Sequence, residues 1–520
     1  MALQLHPRVQ ITTQALQRRR ATVARSTATR LLAPFICSKG PENEIVEIDN
    51  LSDFTEMFGG LSYTTPGQEQ ILNIGKWLAG GGIVCACRLT DAGLSDATAK
   101  KTEYSKTEKT LTINAVAKYS GKYYNDIRLL IDFNTNASFN ISVLYQPANS
   151  RASTIEKYNN LTIETIYKFI NASQYIGSLE FDGVDSTERL REILGTDQTG
   201  SIELSKKTDG ADFSITDANF INLFKTVLPK VIQSRLTTPI DVFIDCGYST
   251  DVKKILGKLF GATVEVAGMA DVKRDDIFAI FTTKVLSAKT GKIAVGASWD
   301  YSTFSTNVFK LDEETYNIDV YEQYGKVVDK YSSLKSGNEV EVPMTYFLAE
   351  LIPFNDAQYG LQYAPAGKQR TLIGSELLWI SNNFTSTEKE NCYTAGVNYV
   401  ERDQDGYCFM TQLTFTQQDT TLKFINHERV LLKIKKDLEI LGRNYLHEIN
   451  DAITKKNLLN QLNSYLNNWI QNRTLRNLSS VAVYDATENE TLENQELLIA
   501  LDLVFNRTVE IISVEITCSE

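Results

Sequence analysis

Residues 362–374, QYAPAGKQRTLIG, place a Gly-Lys pair just after a Pro-containing turn and between two apolar segments. A phosphate-binding loop needs a Gly, four residues, Gly-Lys and then Ser or Thr, so that backbone amides encircle the phosphates and the hydroxyl holds magnesium. Here six residues separate Gly360 from Gly367, and Gln369 stands in the hydroxyl position. The stretch is expected to be a structural turn beside the joint between a central and a C-terminal domain. DQDGY, from Asp403, is an equally incomplete calcium loop, lacking a third ligand before its Gly and the terminal Glu.

The chain around this turn has 520 residues, 42% hydrophobic and 22% charged, with net charge −11. These values describe a globular protein of several domains with an ample core. No run approaches the roughly 18 consecutive apolar residues of a membrane span, so membrane insertion is not expected. The cysteines, at 37, 85, 87, 246, 392, 408 and 518, are scattered and odd in number, which fits reduced thiols. In IVCACR the alternation of a strand puts Cys85 and Cys87 on one face, and no nearby Cys or His completes a tetrahedral metal site. No metal or cofactor is expected.

Periodicity divides the chain into regions. Residues 31–90 read strand, turn, helix, strand, with Ile71, Ile74 and Leu78 at helical spacing before IVCACRL. Residues 91–155 change to a polar linker and a β-rich run broken by SGKYYND and NTNAS, which reads as an inserted unit. From about 156 the α/β pattern is expected to return, with a helix marked by Phe220, Phe224, Val227 and Val231, then PIDVFIDCG as a buried strand, TDVKKILGKLFG as a helix and DDIFAIFTTK as a strand. Val430, Ile434, Leu438, Leu441 and Tyr445 form one helical stripe; Leu458, Leu462, Tyr465 and Trp469 form a second, with Thr454 as its expected N-cap. SVAVYDAT, QELLIALDLVF and TVEIISVEIT read as closing strands.

The expected fold class is α/β and α+β multidomain. The boundaries are an N-terminal arm at 1–30, a layered central α/β domain at 31–90 and 156–375, a β-rich insertion at 91–155, a C-terminal α+β domain at 376–505 and a terminal arm strand at 506–520. Asp245 or Cys246 in FIDCGYS could act as a nucleophile at a strand end. Only His6, His427 and His447 exist, none nearby in sequence, and no hydrolase or cysteine-protease signature surrounds them, so no catalytic residue is assigned.

The segment VPMTYFLAELIPFNDAQYGLQYAPAGKQRTLIG resembles the tail sheath proteins of contractile bacteriophages. In that pattern a Val-Pro precedes a short helix, an Asp, a Gly, Ala-Pro-Ala-Gly, two residues and Arg, here Val342, Pro343, Asp356, Gly360, Ala364, Pro365, Ala366, Gly367 and Arg370. The resemblance extends to HPRVQIT, to Gly40-Pro41, to Phe54 with Phe58-Gly59, to WLAGGGIVCACRL ending in Arg88, to AGVNYV, and to EINDAITKKNLLNQLNSYLNNW with Asn450 and Thr454. Thr371 departs from a frequent Gly, MTQLTF from a Gly-X-Arg-Thr strand, and His427-Glu428 from a helix arginine.

The resemblance implies a structural, non-enzymatic subunit. It would stack as hexameric rings in a helical polymer around a tail tube protein, with baseplate and tail terminator proteins at the ends, in the tail of a virion assembled in the host cytoplasm. Contraction would drive the tube through an envelope, with no nucleic-acid partner. The family also implies that terminal arms add strands to a neighbour's C-terminal sheet. RVQIT would offer Val9 and Ile11, with Pro7 ending the ladder, and the last residues Val509, Ile511, Ile512, Val514 and Ile516. Six arginines and no acid between Met1 and Arg30 face nine acids and only Arg507 between Asp485 and Glu520. A sheath from an injection machine or contractile bacteriocin fits the same residues. The Arg-rich start with FIDCGYS supports a rival of another class, an organelle-targeted α/β enzyme.

Overall fold

In Arg30–Phe35 the side chains of Leu31, Ala33 and Phe35 enter one apolar core and Leu32 enters another. A strand apolar on both faces belongs inside a sheet covered on both sides. Ile83–Arg88 behaves alike, with Cys85 and Cys87 on one face and Val84 and Ala86 on the other. The structure, a computed structural model, describes residues 28–61, 69–108, 110–134, 137–194, 200–233, 239–269, 272–283, 311, 315–328, 339–416 and 418–509.

The two strands sit in a seven-stranded sheet ordered Val397–Asn398, Ile318–Tyr321, Phe278–Thr282, Val242–Ile244, Arg30–Phe35, Ile83–Arg88 and Ile45–Ile48. Every pairing is parallel except the last. Helices Asp217–Asn222 and Thr250–Leu259 cover one face; Leu51–Phe58, Gln70–Ala79 and Thr345–Gln358 cover the other. Gly80 ends the second of these where a Cβ would lie 2.3 Å from the Glu350 carbonyl oxygen, so only glycine lets the two helices approach so closely. Among the described residues no helix is long and apolar enough to cross a membrane.

The sheet runs past the expected boundary at 375. Cys392 and Ala395, at the end of helix Ser386–Thr394, and Val397 in the edge strand are fully buried against it. A short strand of two residues carries too little pattern to be read as an edge.

The β-rich unit is also larger than its expected 91–155. Its antiparallel sheet is ordered Ser153–Leu161, Phe139–Tyr145, Ile127–Phe133, Gly200–Thr208, Lys101–Glu108, Leu111–Ser120 and Ile176–Phe181. The α/β pattern expected from 156 therefore resumes only at Asp217. The difference arises because Ser153–Leu161 and Gly200–Thr208 are mostly polar and exposed, so they carry strand geometry without strand-like composition. Phe169 and Leu190, on helices Ile166–Ala172 and Thr187–Leu194, complete the unit's own core.

Arg88 joins this unit to the central sheet. Its side chain is 1% exposed and donates to the carbonyls of Cys37 at 2.9 Å, Gly40 at 2.6 Å and Ser120 at 2.8 Å, the last within the unit. The Gly40 amide donates to the Tyr124 hydroxyl at 3.2 Å, and Lys39 lies 4.7 Å from the Tyr123 ring centre. At Gly40, with φ +98°, a Cβ would meet the Phe58 ring at 2.6 Å. Asp91 folds the polar linker by accepting from the Thr98 and Ala99 amides.

The C-terminal part is two antiparallel strands on two long helices. Ile425–Asn444 and Ala452–Gln471 bury Val430, Ile434, Leu438, Leu458, Leu462 and Leu466 against the hairpin Leu475–Tyr484 and Leu498–Phe505. Asp451, not Thr454, caps the second helix, its carboxylate accepting from the amides of Ile453 and Thr454. A carboxylate also gains from the positive end of the helix dipole, which a threonine does not.

Lys100 and Ala211 exchange backbone hydrogen bonds of 2.9 and 3.0 Å, so the insertion leaves and returns at adjacent points. Replacing residues 101–210 by a short Gly/Ser bridge should leave the remainder folded. Circular dichroism and a single sharp gel-filtration peak would support this; an aggregated or molten product would contradict it.

Candidate functional site

The turn around Gly367 is built by its neighbours. Helix Thr345–Gln358 starts just after Pro343, which ends the strand Glu339–Pro343 paired with Tyr324–Val328. The helix stops at Tyr359, and Gly360 reverses the chain at φ +99°. Ala364, Pro365 and Ala366 turn inward, and the Gly367 amide donates to the Phe409 carbonyl at 2.7 Å. Arg370 donates to the Ala364 carbonyl at 3.0 Å and lies 5.5 Å from the Tyr363 ring centre. Thr371 is fully buried; its hydroxyl donates to the Gly367 carbonyl and accepts from the Phe409 amide.

Lys368 answers the question raised by the Gly-Lys pair. Its ammonium lies 2.7 Å from an Asp403 oxygen and 2.5 Å from an Asp405 oxygen. Both carboxylates belong to the turn of the hairpin Val400–Asp403 and Gly406–Phe409. Two motifs, each too incomplete for its usual ligand, thus serve each other: the lysine meets carboxylates instead of phosphate, and the acidic turn meets an ammonium instead of calcium. These carboxylates raise the Lys368 pKa, and Lys368 with the neighbouring backbone holds that of Asp403 below its usual value.

FIDCGYS is likewise consumed by structure. Asp245, fully buried, accepts from the amides of Gly247 and Tyr248 at 3.0 Å each and from the Thr282 hydroxyl at 2.6 Å, and Lys253 lies 3.2 Å away. Burial pushes the Cys246 thiol well above its ordinary value, so the thiolate a nucleophile requires is suppressed.

Asp356, picked out in the sequence, is the centre of a joint whose other members were not. Arg429 grips it with both terminal nitrogens, Nη1 at 3.0 Å from Oδ1 and Nη2 on Oδ2, and Thr29 donates to Oδ2 at 2.5 Å. The two side chains are 2% and 3% exposed. About two helical turns further on, Lys436 reaches Asp241 at 3.0 Å; burial pushes the Asp241 carboxyl up, but Lys436, the Arg30 amide and Lys433 together hold its pKa below the usual value. The Asn426 amide donates to the Gln362 carbonyl at 2.9 Å. Helix Ile425–Asn444 is thereby tied to the central sheet, to helix Thr345–Gln358 and to the turn. Sequence reading missed Arg429, Lys436 and Asp319 because polar residues beside an apolar stripe look like a solvated face; the run Asn426-His427-Glu428-Arg429, all buried, was the available signal.

Asp319 lies fully buried on the strand Ile318–Tyr321, and neither of its oxygens has a hydrogen-bond partner among the described residues. Burial pushes its carboxyl well up against the opposing pull of Arg429.

The hairpin 475–505 stands as a two-stranded sheet, and among the described strands neither partner has a second neighbour. One face packs on helix Ala452–Gln471, while neither outer edge has a strand partner among the described residues, the arrangement that invites an added strand. Val509 is 80% exposed just beyond it. Val9, Ile11, Ile511, Ile512, Val514 and Ile516 lie outside the described residues.

Two measurements test the joint. Arg429→Ala should cost roughly 3–5 kcal/mol by leaving Asp356 buried and unpaired, whereas Arg429→Met with Asp356→Leu should recover most of it in urea unfolding. A loss below about 1 kcal/mol in the single variant would contradict this account, since that is the value of a solvated pair. For Asp319 the folded chain keeps a proton that the unfolded chain loses above about pH 4, so this group's contribution to stability falls as pH rises from there. Asp319→Asn should remove that slope, and its gain in Tm over wild type should grow from acid to neutral pH. A constant offset at all pH values would show that Asp319 does not titrate in this way.

No family model matches the chain, and no curated protein matches its sequence. Solved structures do. A sheath tail protein from Listeria innocua superposes with a TM-score of 0.58 over 93% of this chain and 96% of its own, at 14% identity. The helical sheath of the anti-feeding prophage in its contracted state gives a TM-score of 0.51, 14% identity and 99% coverage of both chains. The sheath complex of the extracellular contractile injection system PVC, also contracted, gives 0.52 at 10% identity over 99% of this chain and 98% of its own. At full length, from the first sheet to the C-terminal hairpin, the chain has the fold of the sheath proteins of contractile tails.

Proposed function

We propose that the chain is the sheath subunit of a contractile tail, a structural protein that polymerises with copies of itself. The observation that carries this reading is the likeness to sheath proteins over nearly the whole of both chains, insertion included. Short shared folds support many functions, but a match across every domain leaves little of the chain for another task. In this reading the subunits stack as hexameric rings around a tube protein, meet a baseplate and a terminator at the ends, and shorten to drive the tube through an envelope. Membership of a phage virion is the sequence-based choice; the likeness to PVC and anti-feeding prophage sheaths favours an injection system equally.

The joint between subunits is proposed to be strand addition at the open hairpin 475–505. Val9 and Ile11 from one copy, and Val509, Ile511, Ile512, Val514 and Ile516 from another, would extend the sheet on either side. Burying four or five such side chains contributes on the order of 5–10 kcal/mol before ordering costs. The Pro343, Asp356, Gly360, Pro365, Gly367 and Arg370 turn would then hold the hairpin's supporting helix in place. The inserted unit 101–208, far from this joint in sequence and with its own core, is proposed to lie on the outer surface. No cofactor or fuel enters this account, because the work would come from interfaces better buried after contraction.

Negative-stain microscopy of the intact chain should show rings or filaments, and a chain ending at Asn506 should give none at any salt concentration while keeping its fold. Normal filaments from the shortened chain would remove the terminal strand from the joint, and a persistently monomeric intact chain would remove the sheath reading itself.

A further inference from the structure

The base of the C-terminal hairpin frames a cleft of about 330 Å³, walled by the start of helix Ile425–Asn444, the end of helix Ala452–Gln471 and the residues after Phe505. Two polar atoms in it are unused among the described residues: Asn426 and Thr474 are 3% and 4% exposed, yet Asn426 Oδ1 and Thr474 Oγ1 have no hydrogen-bond partner there. Above them Arg473 and Arg507 are exposed, and neither forms an ion pair among the described residues. Arg473 has φ 61° just past a helix end, where glycine or asparagine would sit without strain. An arginine kept there at the cost of strain points to a role for its guanidinium.

These groups specify a chemistry. An unpartnered amide carbonyl takes an N–H, while a free hydroxyl and two guanidinium groups donate to a carboxylate. The fitting occupant is a peptide backbone that carries acidic side chains. The other end of the same hairpin, about 30 Å away for a ten-residue strand, supplies one. Its loop, 485–497, presents Glu490, Glu493 and Glu496, all exposed and without a cation among the described residues, while Lys455 already holds Asp485 and Glu488.

We propose that the acidic loop 485–497 of one copy docks into the Arg473–Arg507 cleft of a second copy. This rests on the reading of the chain as a self-assembling subunit and names a contact within that assembly apart from strand addition. Tip meets base, so the contact is head to tail, and such contacts generate rings or open helices rather than closed pairs. Copies with a net charge of −11 repel one another, and a local basic cleft gives their acidic tips a place to meet.

A fluorescein-labelled peptide of residues 485–497, titrated with the full chain at low salt, tests the contact by anisotropy. Binding should weaken about tenfold or more in Arg473→Glu/Arg507→Glu, as expected for losing two or more charge pairs. The same loss should follow when wild-type chain meets a peptide carrying Glu490→Lys, Glu493→Lys and Glu496→Lys, a control that needs no folded variant. Restored binding between the reversed peptide and the reversed cleft completes the test. No binding of the wild-type peptide, or equal binding of the reversed one, overturns the proposal. Filaments that form although the peptide does not bind would sink this contact alone; peptide binding by a chain that never forms filaments would sink the assembly reading instead.

Discussion

A buried ion pair between Arg429 and Asp356 sets where everything C-terminal to the central sheet can lie. Taking both charges out of water is costly, and the cost is offset only while the guanidinium and carboxylate meet face to face with their remaining sites filled. Thr29 supplies one such partner, from the residue before the first strand of the sheet. The helix bearing Asp356, the first strand and the helix bearing Arg429 are therefore fixed in one mutual arrangement. The turn at 362–374 inherits its path from this, since Asn355 donates to the Arg370 carbonyl and Asn426 to the Gln362 carbonyl. Lys368 then closes the outer side of the turn on Asp403 and Asp405.

What was legible in the sequence was whatever apolar periodicity encodes. The doubly buried strands at 31–35 and 83–88, the helices carrying Ile71 and Val252, and the two long C-terminal helices all stand where their patterns put them. Strands such as Ser153–Leu161 and Gly200–Thr208 escaped because one face is solvated and their partners lie far away in sequence, so nothing local distinguishes them from loop. The candidate site divided in the same way. Gly360 and Gly367 could be read as backbone reversals and Asp356 as a motif residue, but Arg429 and Lys436 act through partners more than seventy residues away, and the polar run 426–429 marks that something is unusual there without naming those partners.

Arg88 does for the insertion what Arg429 does for the C-terminal part. A single buried guanidinium spans the seam, with carbonyl partners on both sides of it. Arginine suits this task because its rigid fork of donors remains charged at any relevant pH and can satisfy several carbonyls at once, where a lysine would offer one point charge. The insertion is thus held by a joint comparable in burial to the core, although its chain crosses the seam only through the segments ending at Lys100 and starting at Ala211.

The distribution of these joints bears on how a contracting assembly of such subunits would move. Opening the Arg429 or Arg88 seam strands a buried charge, at several kcal/mol for each. The exposed groups at the hairpin, among them Glu490, Glu493, Glu496, Arg473 and Arg507, sit in water, where each pair is worth about 0–1 kcal/mol and exchanges readily. A stack of such chains would yield first at these exposed pairs and last within each chain. Under the proposed function, rings would rotate and shorten with each subunit turning as one body. The strand joints at the hairpin would act as the hinges, because an added strand keeps its backbone hydrogen bonds while the chain leading to it swings.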